Sequence, residues 1–177
     1  MTRIASLLAL FALALMTVIA AGCATSEEDE LNPEDFEVTE DDQMEDTVFE
    51  QMSEDGKADG ALGYQAVARL AKTAGVACTG ERIALATAVA KAESGFRAGI
   101  SNTAGNAHGV DRGLWQINSY WHPEISAACA FSPSCNARAM AAISSKGTRW
   151  SQWWTWKNGK HLPFMAQSRA AQNAVCQ

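Results

Sequence analysis

The sequence predicts a mostly helical α+β domain with a minor sheet, carried behind an export signal and an acidic leader. Apolar residues recur at helical spacing through most of residues 61–177, and one short stretch, Gly113 to Asn118, alternates apolar and polar residues as a strand does. The 117 residues of that span are enough for one modest core and not for two. An even set of four cysteines lies within it, as in exported domains whose thiols are oxidised.

The chain begins with a targeting segment over residues 1–22. Arg3 supplies its positive start, and Ile4 to Ala21 is an apolar run without a charge. Small residues then precede Cys23, which resembles the lipobox of bacterial lipoproteins; the usual leucine three places before the cysteine is Ala20 here. The resemblance implies that Cys23 becomes the acylated N-terminus of a lipid-anchored envelope protein facing the periplasm or exterior. The alternative is an ordinary secretory signal cut near the same place. Both put the protein outside the cytoplasm.

Residues 23–60 differ in composition. From 24 to 60 there are sixteen Asp/Glu, one Lys and almost no aliphatic run, which predicts a disordered acidic tether; Phe36, Val38, Val48 and Phe49 leave room for a short contact segment. Residues 61–177 hold twelve Lys/Arg against four Asp/Glu, or +8; the tether carries −15, and Arg3 brings the chain to −6. A basic domain outside the cytoplasm suits an anionic polymer such as cell-wall glycan. No motif or basic stripe supports nucleic acid as a partner. Opposite charges also give the tether a reason to fold back on the domain.

Within the domain, Val67, Leu70, Ala71 and Ala74 are spaced helically before Gly75. Thr79 is expected to cap the next helix, with Glu81 in its first turn and a face of Ile83, Leu85, Ala86, Val89 and Ala90 running to Glu93. Pro123 predicts a helix over Glu124–Ala130, and Asn136–Ser144 and Met165–Val175 also read as helical. The cysteines Cys78, Cys129, Cys135 and Cys176 allow three pairings. Cys129 and Cys135 flank a short turn that can be closed locally, which leaves Cys78 with Cys176.

The chemistry concentrates between Lys91 and His122. Glu93 and Asp111 stand eighteen positions apart, separated by Gly95, Gly99, Asn102, Gly105, Asn106 and Gly109. A carboxyl ending a helix and a second entering a small sheet would face each other across one cleft. Apolar neighbours (Phe96, Leu114, Trp115) and a helix C-terminus would keep Glu93 protonated, as a general acid must be. Asp111, beside Arg112 among polar turn residues, is in a setting that suits an anion. Divergent environments of this kind mark an acid paired with a nucleophile or charge stabiliser.

KAESGF (from Lys91) followed by DRGLWQIN (from Asp111) resembles the lysozyme superfamily, in particular transglycosylase SLT domains and the lysozyme-like domains of phage tail proteins. The likeness extends through WHPE, CAF–PSCNARA and WSQWWTWKNG, roughly residues 80–160. It implies a lysozyme-like fold that cleaves peptidoglycan as a lytic transglycosylase or lysozyme. Glu93 matches the catalytic acid, Ser94 its hydroxyl neighbour, and Gln116 and Asn118 the segment beside the cleft. Asp111 falls where chicken-type lysozymes keep a second carboxylate, although the intervening loop differs by one inserted residue. Many transglycosylases lack that carboxylate; there the substrate's own acetamido group assists and a 1,6-anhydro product results.

Trp115, Tyr120 and Trp121 beside the cleft are candidate sugar platforms, while most of Trp150, Trp153, Trp154 and Trp156 are expected in packing. His108, His122 and Glu124 fit no established metal spacing, so neither metal nor cofactor is implied. Arg112 and Lys157 suit a glycan carboxylate or peptide stem. The expected partners are glycan strands and, through Cys23, a membrane, with the protein a monomer. The alternative function is a catalytically silent glycan-binding module on the same fold, and a further one a structural lipoprotein that works through its tether.

Overall fold

The computed structural model describes residues 31–53, 60–105 and 107–177; the expected signal segment and Cys23 lie outside the described residues. Residues 31–177 are one compact unit. A 3₁₀ turn, Pro33–Phe36, leads to α1 (Glu40–Ser53), α2 (Tyr64–Thr73) and α3 (Arg82–Ser94). Strands β1 (Ser101–Asn102), β2 (Asp111–Arg112) and β3 (Ile117–Asn118) follow, then α4 (Ala127–Phe131), α5 (Pro133–Ile143), α6 (Trp154–Lys157) and α7 (Met165–Val175). This is the mostly helical α+β architecture expected.

The body is α2, α3 and α7 packed on one another, with α5 bridging α2, α4 and α1. α3 is apolar round most of its circumference: Ile83, Ala84, Ala86, Ala88, Val89 and Ala90 are all fully buried, so it runs through the core. Its start departs from the expected Thr79 cap. The helix begins at Arg82, and Glu81 makes no capping bond because its carboxylate reaches Arg169 at 2.6 Å. Gln172 of α7 serves that end instead, accepting from the Ala84 amide and donating to the Gly80 carbonyl, each at 2.8 Å.

Two other starts shift because serines cap them. Ser126 accepts from the Cys129 amide at 3.1 Å, so α4 begins at Ala127 rather than beside Pro123. Ser132 accepts from the Cys135 amide at 3.2 Å, and Pro133 occupies the first turn of α5, ahead of the expected Asn136. The disulfides are Cys78–Cys176 and Cys129–Cys135.

The sheet is antiparallel in the order β1-β2-β3, pairing Asn102 with Asp111 and Asp111 with Asn118. The strand expected over Gly113 to Asn118 is mostly a turn between β2 and β3. Leu114 and Trp115 both enter the core, whereas a pleated strand would point consecutive side chains to opposite faces of the sheet. Asn136, itself fully buried, fastens the turn by accepting from the Trp115 amide at 3.0 Å and donating to the Ala130 carbonyl at 3.0 Å. Gly113 has φ +76°, and a Cβ there would lie 1.9 Å from the Ala130 carbonyl oxygen. Gly113→Ala is therefore expected to cost at least about 2 kcal/mol, read as a lower urea midpoint.

Residues 31–53 differ from the disordered tether expected over 24–60. Phe36 is 4% exposed within the main core, and Asp42 is buried against Arg138 of α5. Composition rules out a core of the segment's own, but the basic domain supplies partners for it.

Candidate active site

The last turn of α3 delivers Glu93, and the chain then turns sharply. Gly95 ends the helix at φ +65°, its amide bonded to the Lys91 carbonyl at 3.1 Å. Phe96 is also left-handed, at φ +73°, which an aromatic residue adopts only when its surroundings fix it. Ser94 helps fix it: the hydroxyl donates to the Ala90 carbonyl at 3.0 Å and accepts from the Phe96 amide at 3.1 Å. Ser94 is thus spent inside the helix end and does not line the cleft, contrary to the expected substrate contact.

The sheet forms a second wall. Asn118, opposite Asp111 in register, donates to its Oδ1 at 2.8 Å and accepts from the Tyr120 amide at 2.9 Å. Gln116, at φ +49°, donates to the Gly113 carbonyl at 2.8 Å. Both residues line the cleft, as expected.

The third wall is the segment around α6, whose role sequence reasoning missed. The Thr155 hydroxyl donates to Glu93 Oε1 at 2.5 Å. Trp153 is buried and its indole N–H donates to the Trp115 carbonyl at 2.8 Å, tying this wall to the turn after β2. The resulting cleft, about 620 Å³, brings Glu93 and Asp111 together with Gln116, Asn118, Trp121, Gln152 and Trp154.

The aromatic residues divide by exposure. Trp115 is fully buried, with its indole N–H on the Ala86 carbonyl at 2.9 Å, so it packs the core and is no sugar platform. Tyr120 stacks on His108, 4.7 Å between ring centroids, and is not among the lining residues. Trp121 is 68% exposed and Trp154 60%, both on the cleft; two large apolar faces left in water beside it are suited to stacking on sugar rings. His122 lines the cleft and pairs with Glu124 at 2.9 Å. Among the described residues no cluster of His, Cys, Asp and Glu could hold a metal.

Burial pushes the Glu93 carboxyl above the usual glutamate range; hydrogen bonding from Thr155 opposes this, and the nearby Asp111 carboxylate adds to it. Thr155→Val, which removes the hydroxyl at nearly constant shape, is expected to move the alkaline limb of the pH–rate profile to higher pH. A rate loss of about tenfold should accompany it as Glu93 loses its fixed orientation.

A helical body and a small antiparallel sheet, with two carboxylates facing the cleft between them, make up a lysozyme-like fold. The family model described as "Lysozyme like domain" matches residues 68–155, a span that includes Glu93, Asp111 and Thr155, and this domain belongs to the lysozyme-like superfamily. Among curated proteins and among solved structures, none matches the chain. The family membership points to peptidoglycan-related glycosidase or transglycosylase activity as the class of chemistry.

Proposed function

We propose that this protein cleaves peptidoglycan glycan strands at the β-1,4 bond between N-acetylmuramic acid and N-acetylglucosamine. The observation that carries the reading is Glu93: a carboxyl in a cleft, oriented by Thr155 and made a weaker acid by burial. A group that protonates a glycosidic oxygen near neutral pH has to hold its proton there. Glu93 first gives that proton to the leaving oxygen, then acts as base toward the group that completes the reaction. Trp121 and Trp154 would stack on sugars along the strand.

Asp111 favours the hydrolytic outcome. Asn118 holds its carboxylate on the cleft wall, and in this role it would stabilise the developing positive charge or attack the sugar. Asp111→Asn is expected to slow hydrolysis about 100-fold, and by removing a negative neighbour it should also lower the alkaline limb set by Glu93. A 1,6-anhydro-forming transglycosylase would instead tolerate the change with little loss, because the substrate's acetamido group replaces the carboxylate.

The enzyme would sit in the cell envelope, anchored by an acylated Cys23. Intact-mass analysis of the mature chain tests this: a diacylglycerol-modified Cys23 supports it, and an unmodified terminus at or after that residue contradicts it.

A further inference from the structure

Among the described side chains, none of the acidic leader lines the cleft. The leader occupies the face formed by α2 and α5, at three points. Phe36 is buried in the core, with Leu31 and Val38 packed beside it. Asp42 exchanges hydrogen bonds with Thr39 as a capping box, accepting from the Thr39 amide at 2.8 Å. The same buried carboxylate pairs with Arg138, whose other nitrogen donates to the Glu37 carbonyl at 2.9 Å. One turn later on the same face of α1, Asp46 accepts from the Ser134 amide at 3.0 Å and the Ser132 hydroxyl at 2.7 Å.

Each contact has a physical reason. The first amides of α5 lack partners within the helix, and its dipole favours an anion there, so the Asp46 carboxylate supplies an end that Ser132 caps only in part. Arg138 gains a charge-assisted partner in a protected setting. Between these points the packing is not continuous: a groove of about 380 Å³, open to solvent, lies among Thr39, Asp42, Leu70, Ala74, Ser134 and Arg138. A segment held at points beside an open groove forgoes part of the dispersion energy of continuous packing. α1 packs chiefly on α5, whereas α2 and α7 each pack on at least two helices, so the leader has less to lose on detaching.

We propose that the α2–α5 face is a receptor for the chain's own acidic leader, recognising one aromatic anchor and two aspartates a helical turn apart, and that the docked leader sets the length of the leash. The second part rests on lipid anchoring at Cys23; the first does not. Docked, the leader leaves residues 24–30 between anchor and folded unit, a span of at most about 25 Å. Released, residues 24–60 can reach at most about 130 Å. The same domain then works close to its membrane or deep in the wall, according to the state of one clasp.

The test is hydrogen exchange on the soluble mature chain carrying Cys23→Ser. The amides of residues 43–47 and of Ser134 are expected to exchange at least about tenfold more slowly than unstructured peptide. In Phe36→Ala/Asp42→Ala/Asp46→Ala, residues 43–47 should lose that protection while α3 and α7 keep theirs. Asp46→Ala alone, which leaves Phe36 and the Arg138 pair in place, should speed Ser134 exchange. Unprotected amides at 43–47 in the parent, or a Ser134 amide indifferent to Asp46→Ala, would overturn the receptor. Protected amides together with an unacylated Cys23 in the native chain would leave the receptor standing and overturn its role as a leash.

Discussion

Glu93→Gln is expected to lower peptidoglycan cleavage by about 1000-fold and, at the same time, to make the folded domain more stable at neutral pH. The loss follows from chemistry: glutamine keeps an oxygen to accept from Thr155 but has no proton to give, and a positioned general acid is worth about 100- to 10,000-fold. The stability change follows from linkage. Burial raises the Glu93 pKa in the folded state, so ionising it there is less favourable than in the unfolded chain. That penalty is absent while both states hold the proton, grows as pH rises past the unfolded value, and is complete above the folded one. Thermal unfolding should show the variant ahead of the parent at pH 7 to 8 and the gap closing toward about pH 4. A merely structural Glu93 would give the opposite sign, because its removal would lose a useful contact.

Removal of the Cys78–Cys176 bridge should be the most damaging covalent change. It spans 98 residues and ties the entry to α3 to the end of α7, where Lys72 also donates to the Val175 carbonyl at 2.6 Å. In the chain-entropy model a loop of that length is worth nearly 5 kcal/mol, against about 2 kcal/mol for the six-residue separation of Cys129–Cys135. Cys78→Ser/Cys176→Ser is therefore expected to lower the unfolding free energy by about 2 kcal/mol more than Cys129→Ser/Cys135→Ser, measured by urea unfolding. Equal losses would mean that local strain or residual unfolded structure, not loop closure, governs both.

What was legible in the sequence follows the range of the forces involved. α3 and α7 could be read because their apolar spacing is a local property, and the pairing of Glu93 with Asp111 because a helix end, a turn-rich loop and a short sheet leave few places for the two acids to go. Thr155 could not be read: its bond to Glu93 joins residues 62 positions apart, and nothing in its neighbours marks it. Trp115 and Trp121 look alike in sequence, yet one fills the core and the other stands in water, because the turn at Gly113 sends two consecutive side chains inward. The leader is legible only in part: Phe36 and the opposite charges point to a contact with the domain, but not to its form. Composition counts its charges, whereas docking depends on where Phe36, Asp42 and Asp46 fall, and on Arg138 and the start of α5 being there to receive them.

If Glu93 performs acid catalysis on a glycosidic bond, mass spectrometry of the fragments released from purified peptidoglycan will show it. The parent chain should release disaccharide muropeptides, with reducing muramic acid ends if Asp111 supports hydrolysis and 1,6-anhydro ends if the acetamido group takes its place. Glu93→Gln, folded and at equal concentration, should release almost none. Fragments from Glu93→Gln in the same yield as from the parent, or no fragments from either, would mean that Glu93 is not that acid.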